Sequence, residues 1–379
     1  MKAFALTHKG CEEFAAAEIE EKLKTKCEYE TGKAIVFFNV KTEIDICKIC
    51  YTGQSIIKTG LFLEKGKIEN PKLTADFSKY LKEDESFKVL CLKQDSEITR
   101  ADFEGKIGKL IINQIEAKTK RVQKVSLKNP NIIFLCFICD DEFYLGLDFA
   151  GIDLSKREYK IFSNPCSIKG SLGFSLIKFS GYDKKENIVD VMSGDGVIMI
   201  EAGLYAAGFP VNFFQKEKLA FNKFSFLEND KIKKMFEDTD KKIKKDNMNI
   251  LGLDSSLRNV KAARKNAKIS GISRLIEFSK IDIDWLDIKI KEKSIGKIIS
   301  QLPCPSKNVD ENELKTIYNE LFYQVEYIIK NKGELAIIIK KKELILELMK
   351  KYGFELKREK EVWAGQQQLY FLLLTKNTK

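Results

Sequence analysis

Apolar and polar positions follow two different rhythms along the chain. Up to about residue 150, short apolar runs such as AFALT, AIVFFNV, FKVLCL, KVSL, IIFLCFIC and EFYLGLDF read as strands. Helical patterns separate them at Cys11–Lys24, Thr42–Tyr51 and Ala101–Ala117. This mixture predicts two small α+β units, over residues 1–70 and 71–155. A charged stretch, GIDLSKREYKIFSNP (Gly151–Pro165), opens a linker placed at 156–170.

From about Lys169 strands and helices alternate strictly. Strand NIVDVM precedes helix VIMIEAGLYAAG, and strand NILGLD precedes helix SLRNVKAARKNAKISG. LIEFSK and GKIISQ follow as strands, then helix ELKTIYNELFYQVEYIIK, strand ELAIIIK and helix ELILELMKKYG. The tail VWAGQQQLYFLLLT closes as a strand or hairpin. The alternation predicts an α/β domain over 171–379, a mainly parallel doubly wound sheet with a closing antiparallel strand. Phe209–Asn249 interrupts it with a lysine-rich, aromatic insertion, FFQKEKLAFNKFSF. Aromatics among lysines fit RNA stacking, or an apolar cover on the domain, which is favoured.

Composition narrows the chemistry. One histidine, His8, serves 379 residues, which disfavours His-based hydrolysis, triads and metal sites. Positioning or a cofactor must carry the reaction. The excess of Lys+Arg (66) over Asp+Glu (55) admits a polyanionic partner, although interleaved charges also fit a solvated surface. Two CxxC pairs, Cys47/Cys50 and Cys136/Cys139, fall in a helix and a strand without flanking knuckle turns. Buried reduced thiols are expected there rather than zinc. No apolar run reaches membrane-spanning length, and the N-terminus lacks a signal-peptide pattern, so a cytoplasmic location is expected.

Candidate chemistry gathers at strand tips of the alternating domain. Asp190-Val-Met-Ser193-Gly194-Asp195-Gly196 follows its first strand and opens a helix. Glycines there let backbone approach a ligand. The pattern is neither GxGxxG nor a P-loop, which disfavours dinucleotides and nucleoside triphosphates. Asp254 ends the second strand, where an acid holds ribose hydroxyls or caps the next helix. Asp282 or Asp284 follows the third, where a carboxylate and adjacent backbone can meet an adenine edge. Three such tips together outline a pocket for an adenosine with a small charged tail. The fourth tip reads IISQLPCPSKN, a strand halted by Pro303 and Pro305 around Cys304.

Nearly the whole chain resembles the THUMP-containing class I methyltransferases, in particular archaeal tRNA guanine-N2 methyltransferases. AFALTHKGCEEFAAAEI is similar to their ferredoxin-like opening, and FKVLCL through KVSLKNPNIIF to their THUMP domain. GIDLSKREY matches the connector, and DVMSGDGVIMIEAG resembles D-P-x-C-G-S-G-T-x-x-I-E-A, with Ser193, Asp195 and Val197 departing from it. The resemblance implies a Rossmann-like class I methyltransferase domain after the ferredoxin-like and THUMP region. It implies S-adenosylmethionine as cofactor, with Asp190, Ser193, Gly194 and Gly196 at its methionine end. Asp254 would hold the ribose, and Asp282 with Ile283 the adenine.

The implied reaction is methyl transfer to a guanosine N2, with tRNA as partner through its acceptor end and stem, at position 6. Position 10, ribosomal RNA, or a diverged RNA-binding protein without turnover are the alternatives. A monomer is expected. The catalytic motif of the family, Asn/Asp-Pro/Leu-Pro-Tyr/Phe, falls on Gln301, Leu302, Pro303 and Cys304. An amide oxygen and a backbone carbonyl accept from the guanine amine there, and an aromatic stacks on the extruded base. Gln301 adds a methylene to the expected side chain, Cys304 cannot stack like tyrosine, and Pro305 replaces a glycine. Lys307 stands where a basic residue reaches phosphate.

Overall fold

The computed structural model describes residues 1–94, 96–244, 249–304 and 310–377. The N-terminal region runs β1 (Lys2–Leu6), α1 (Glu12–Leu23), β2 (Cys27–Tyr29), β3 (Ile35–Asn39), α2 (Glu43–Thr52) and β4 (Lys58–Lys67). It continues with β5 (Ser86–Gln94), α3 (Arg100–Thr119), β6 (Lys124–Val125), β7 (Ile132–Cys139) and β8 (Glu142–Asp148). Its strands form one sheet in the order β2-β3-β1-β4-β8-β7-β5-β6. The two α+β units therefore share a sheet. β4 is the seam, antiparallel to β1 on one side and to β8 on the other.

Alternation explains the faces of this sheet. On β7, Cys136 packs into the large core with α2 and α3, while Cys139 packs on the opposite face with Phe4 and Leu135. Cys47 and Cys50 are buried on α2, in the same core as Cys136. Burial pushes the Cys47 and Cys50 thiols well up, and the hydrogen bond with Cys91, together with burial, does the same for Cys136.

The second half contains α4 (Gly170–Phe179), β9 (Ile188–Asp190), α5 (Val197–Ala207), α6 (Asn229–Asp240), β10 (Ile250–Asp254), α7 (Leu257–Ile269) and β11 (Ile276–Lys280). It ends with α8 (Leu286–Lys289), β12 (Ile295–Gln301), α9 (Glu311–Ile328), β13 (Ile329–Ile339), α10 (Glu343–Lys351), β14 (Phe354–Ala364) and β15 (Gln367–Lys376). The sheet order is β11-β10-β9-β12-β13-β15-β14. The first five pair in parallel, and β15 closes antiparallel against β13 and β14. Strand order reverses between β9 and β12, and this crevice is where open α/β sheets bind ligands. One face is covered by α4, α5 and α7, the other by α8, α9 and α10.

Most of the insertion covers the other half of the molecule, while Phe209 and Val211 at its start pack on the domain in which it is embedded. Leu219, Phe221, Phe224, Ile232 and Met235 are buried in the core of the N-terminal sheet. Each such burial contributes about 1.5–3 kcal/mol. Backbone bonds pin it there, from Ala220 N to Ala150 O (3.1 Å) and Phe221 N to Phe149 O (3.2 Å). Tyr51 OH donates to Asp240 Oδ1 at 2.6 Å. The aromatics are thus mainly an apolar cover for the other half of the molecule, with Phe209 on their own domain and Phe214 largely exposed.

A fully buried ion pair joins the halves. Arg157 Nε donates to Glu201 Oε1 on α5 at 2.7 Å, both side chains being wholly inaccessible. Gln54 Nε2 and Tyr159 OH donate to the same carboxylate at 2.8 and 2.7 Å. Removing one partner of such a pair costs about 3–5 kcal/mol.

Candidate active site

Four strand tips open into one cavity of about 560 Å³. β9 ends in Asp190, which is buried. Its Oδ1 accepts from Ser300 Oγ (2.7 Å) and from Met192 N (3.1 Å). Ser300, on β12, also accepts from Val191 N at 3.1 Å, so one hydroxyl stitches the first and fourth tips together. Burial raises the Asp190 carboxyl to about 7, with Asp254 and Asp195 adding repulsion and the Ser300 bond opposing it.

The turn after Asp190 needs its glycines for different reasons. Gly194 has φ +53, and an added Cβ would lie 2.9 Å from Asn164 Nδ2. Gly196 has φ +85 and N-caps α5; a Cβ there would meet Ala263 Cβ at 2.8 Å and the Phe278 ring at 2.9 Å. Gly196 thus shapes the turn without lining the cavity, whereas Asp190, Ser193 and Gly194 line it.

Asp254 Oδ2 accepts from Gly194 N (2.8 Å), and its Oδ1 from Ser256 N (2.9 Å) and Asn259 Nδ2 (3.0 Å). The cap of α7 is Ser256, whose hydroxyl accepts from Asn259 N, so Asp254 is released from the capping alternative. Each carboxylate oxygen has two acceptor sites, so Oδ1 is filled and Oδ2 keeps one site free for a ligand hydroxyl. Asp282, Ile283 and Asp284 form the third wall. At the fourth tip Gln301, Leu302, Pro303 and Cys304 all line the cavity. Leu302 N donates to Ile338 O (3.2 Å), and Tyr318 OH on α9 donates to Pro303 O. Burial raises the Cys304 thiol. Pro305, Ser306 and Lys307 lie outside the described residues.

The connector supplies a wall that sequence reasoning missed. Asn164, Cys166, Ser167 and Ile168 line the same cavity. Gln301 Nε2 donates to Cys166 O at 2.5 Å. Asn266 on α7, fully buried, donates through Nδ2 to Phe162 O (2.9 Å) and Asp195 O (3.0 Å). Ser300, Asn259, Asn266 and Tyr318 were missed as well. Only Ser300, a hydroxyl placed directly before the motif on an apolar strand, carries a local signal.

More than half of the chain, residues 157–369, matches the model of the RMKL-like methyltransferase domain. The chain belongs to the RMKL-like methyltransferase family. Residues 70–148 match the THUMP domain. The chain is 27% identical over 372 residues to the tRNA (guanine(6)-N2)-methyltransferase of Methanocaldococcus jannaschii, covering 94% of this chain and 95% of that protein. Among solved structures, a protein in complex with SAH superposes with a TM-score of 0.82 at 18% identity, covering 100% of this chain and 98% of the other. TrmN from Thermus thermophilus gives 0.72 at 17%, with 99% of each covered. At these identities the structures share the fold of this RMKL-like methyltransferase. No helix among its described residues is long and apolar enough to cross a membrane.

The cavity suits a cationic nucleoside cofactor on its own evidence. Ser193 Oγ is buried at its wall without a hydrogen-bond partner, and the Asp195 carboxyl lies buried beside the Ser167 hydroxyl. Asp190, Asp195 and Asp254 converge on it, and burial raises the Asp195 carboxyl as it does that of Asp190. Such an acid-lined site favours a positive tail. S-adenosylmethionine therefore fits the residues present.

Proposed function

We propose that the chain transfers a methyl group from S-adenosylmethionine to the exocyclic N2 amine of a guanosine in tRNA, at position 6 of the acceptor stem. The observation that carries this reading is the convergence of all four strand tips on one cavity. Ribose- and adenine-type acids stand at one end, and a Gln-Leu-Pro motif at the other. The similarity of nearly the whole chain to a tRNA (guanine(6)-N2)-methyltransferase supports the substrate.

When bound, the cofactor supplies an electrophilic methyl group on a sulfonium. Asp190, Ser193 and Gly194 are assigned to its methionine end, Asp254 to the ribose hydroxyls, and Asp282 with Ile283 to the adenine. Gly196 keeps the turn at the distance this requires. Gln301 Oε1 and a backbone carbonyl of the Leu302–Pro303 segment accept from the guanine amine and hold its lone pair in line with the methyl. Pro303 O already accepts from Tyr318 OH, which fixes the peptide plane. Cys304 provides a small apolar wall in place of a stacking ring. The THUMP unit (71–155) with the ferredoxin-like unit (1–70) grips the acceptor end, and the methyltransferase domain (171–379) takes the base. The protein acts as a monomer in the cytoplasm.

The test is incubation of labelled S-adenosylmethionine with unmodified tRNA, followed by nucleoside analysis and mapping. N2-methylguanosine at position 6 is expected. Cofactor binding without transfer to any RNA would instead identify a diverged RNA-binding protein, and N2-methylguanosine elsewhere would move the site.

A further inference from the structure

We infer that the connector orients the catalytic amide: the Asn164–Ser167 turn holds the Cys166 carbonyl against Gln301 Nε2 and so aims Gln301 Oε1 at the substrate amine. The inference rests on the methyl-transfer reading above. It explains why this chain functions with a glutamine one methylene longer than the expected side chain.

A primary amide has a donating end and an accepting end. Cys166 O, 2.5 Å from Nε2, accepts from the donating end. The accepting end is left for an N–H donor entering the cavity. An asparagine at 301 would fall short of Cys166 O by roughly one C–C bond, about 1.5 Å, and a hydrogen bond does not survive that stretch. Glutamine is thus the length that the connector requires.

The connector is itself held in place. Asn164 Oδ1 accepts from Cys166 N at 3.0 Å, and Asn164 O accepts from Ser167 N at 3.1 Å. Upstream, Phe162 N donates to Asn266 Oδ1 at 3.1 Å, and Asn266 in turn bonds Phe162 O and Asp195 O. Downstream, Lys160 Nζ donates to Ile168 O at 2.5 Å. The segment therefore spans from the glycine turn to the fourth strand tip, with a fixed carbonyl in its middle. Gln301 is a catalytic residue in this scheme and Asn164 a positioning residue.

A double-mutant cycle tests it, with kcat on tRNA at saturating S-adenosylmethionine and SAH affinity by calorimetry. Gln301→Asn, although it installs an expected family residue, should lower kcat about tenfold or more, and Asn164→Ala should lower it by a similar factor. SAH affinity should stay within threefold in both. The double variant should be no slower than Gln301→Asn alone, because an asparagine has no contact for the turn to support. Gln301→Glu, isosteric and half-exposed, guards against misfolding. Its carboxylate cannot donate to Cys166 O, so kcat should fall about tenfold at pH 8 and recover as acid restores the donor. A Gln301→Asn enzyme as fast as wild type, multiplicative losses in the cycle, or a Gln301→Glu enzyme at full rate at pH 8 would each overturn the inference. Failure of the wild-type protein to methylate any RNA sinks the methyl-transfer reading instead, and is distinct from all three.

Discussion

The two ends of the cavity are built in opposite ways. At the cofactor end, β9, β10 and β11 deliver acids and glycines directly from strand tips, and neighbouring tips brace one another. Asp254 holds the Gly194 amide, and Ser300 holds Asp190. At the target end a single strand, β12, presents four residues; Ile338 O of the sheet holds Leu302, and two others draw support from outside the sheet. Cys166 of the connector holds Gln301, and Tyr318 of α9 holds Pro303. The cofactor end draws its geometry from the sheet itself, although Ser193, Asp195 and Val197 depart from the family pattern there. The target end draws part of its geometry from the connector and α9.

If the ends are this separate, substitutions should sort cleanly. The largest effect is expected for Gln301→Ala, a loss of transfer of about a hundredfold or more. SAH affinity by calorimetry should remain within threefold, and a parallel fall in affinity would erase the division. Asp254→Ala should do the reverse, weakening SAH about thirtyfold through loss of charge-assisted bonds. Untouched affinity would remove Asp254 from the ribose site. Third comes Gly196→Ala, which meets Ala263 and Phe278 at a positive φ. It should lower the melting temperature by several degrees, in line with a strain of about 1–3 kcal/mol.

The pH dependence sharpens the same contrast. Asp190 titrates at about 7 in the free protein, far above the usual carboxylate value near 3.9. Its contribution to folding stability is therefore complete below about pH 4 and lost as pH rises through 7. A cationic ligand favours the ionised form, so S-adenosylmethionine affinity should climb toward pH 7 and level off above it. The limiting slope is about tenfold per pH unit, with a proton released on binding below 7. Calorimetry in buffers of different ionisation enthalpy measures that proton, and Asp190→Asn should flatten the profile. The smallest effect is expected for Ser300→Ala, about 1 kcal/mol of stability and a further rise in the Asp190 carboxyl.

What was legible in the sequence follows the same line. Each strand tip announces itself locally, as an apolar run that stops on Asp, Gly or Pro, and alternation fixes a parallel sheet. Asp190, Ser193, Gly194, Asp254, Asp282, Ile283 and Gln301–Cys304 consequently reach one cavity as expected, with Gly196 displaced into the turn behind it. Bonds from a side chain to distant backbone have no such rhythm. Asn266 to Phe162 spans 104 residues and Gln301 to Cys166 spans 135, and nothing near either residue reports its partner. The pairing of β4 with β8 was hidden for the same reason, since edge and centre strands of a small sheet share one pattern. The aromatic insertion declared its burial, but not whose core it entered.

That insertion sets the order in which the molecule can be assembled. Residues 219–235 complete a core begun by β1 and α2, and Trp363 N on β14 donates to Lys9 O at 2.9 Å. Emerging from the ribosome, the first 150 residues would carry a sheet with its aromatic seal still unsynthesised. Only when the last hairpin is made does the first loop find its partner. Cutting the chain at the connector would therefore yield two fragments with exposed, sticky faces rather than two domains. Co-expressed, the fragments should find each other.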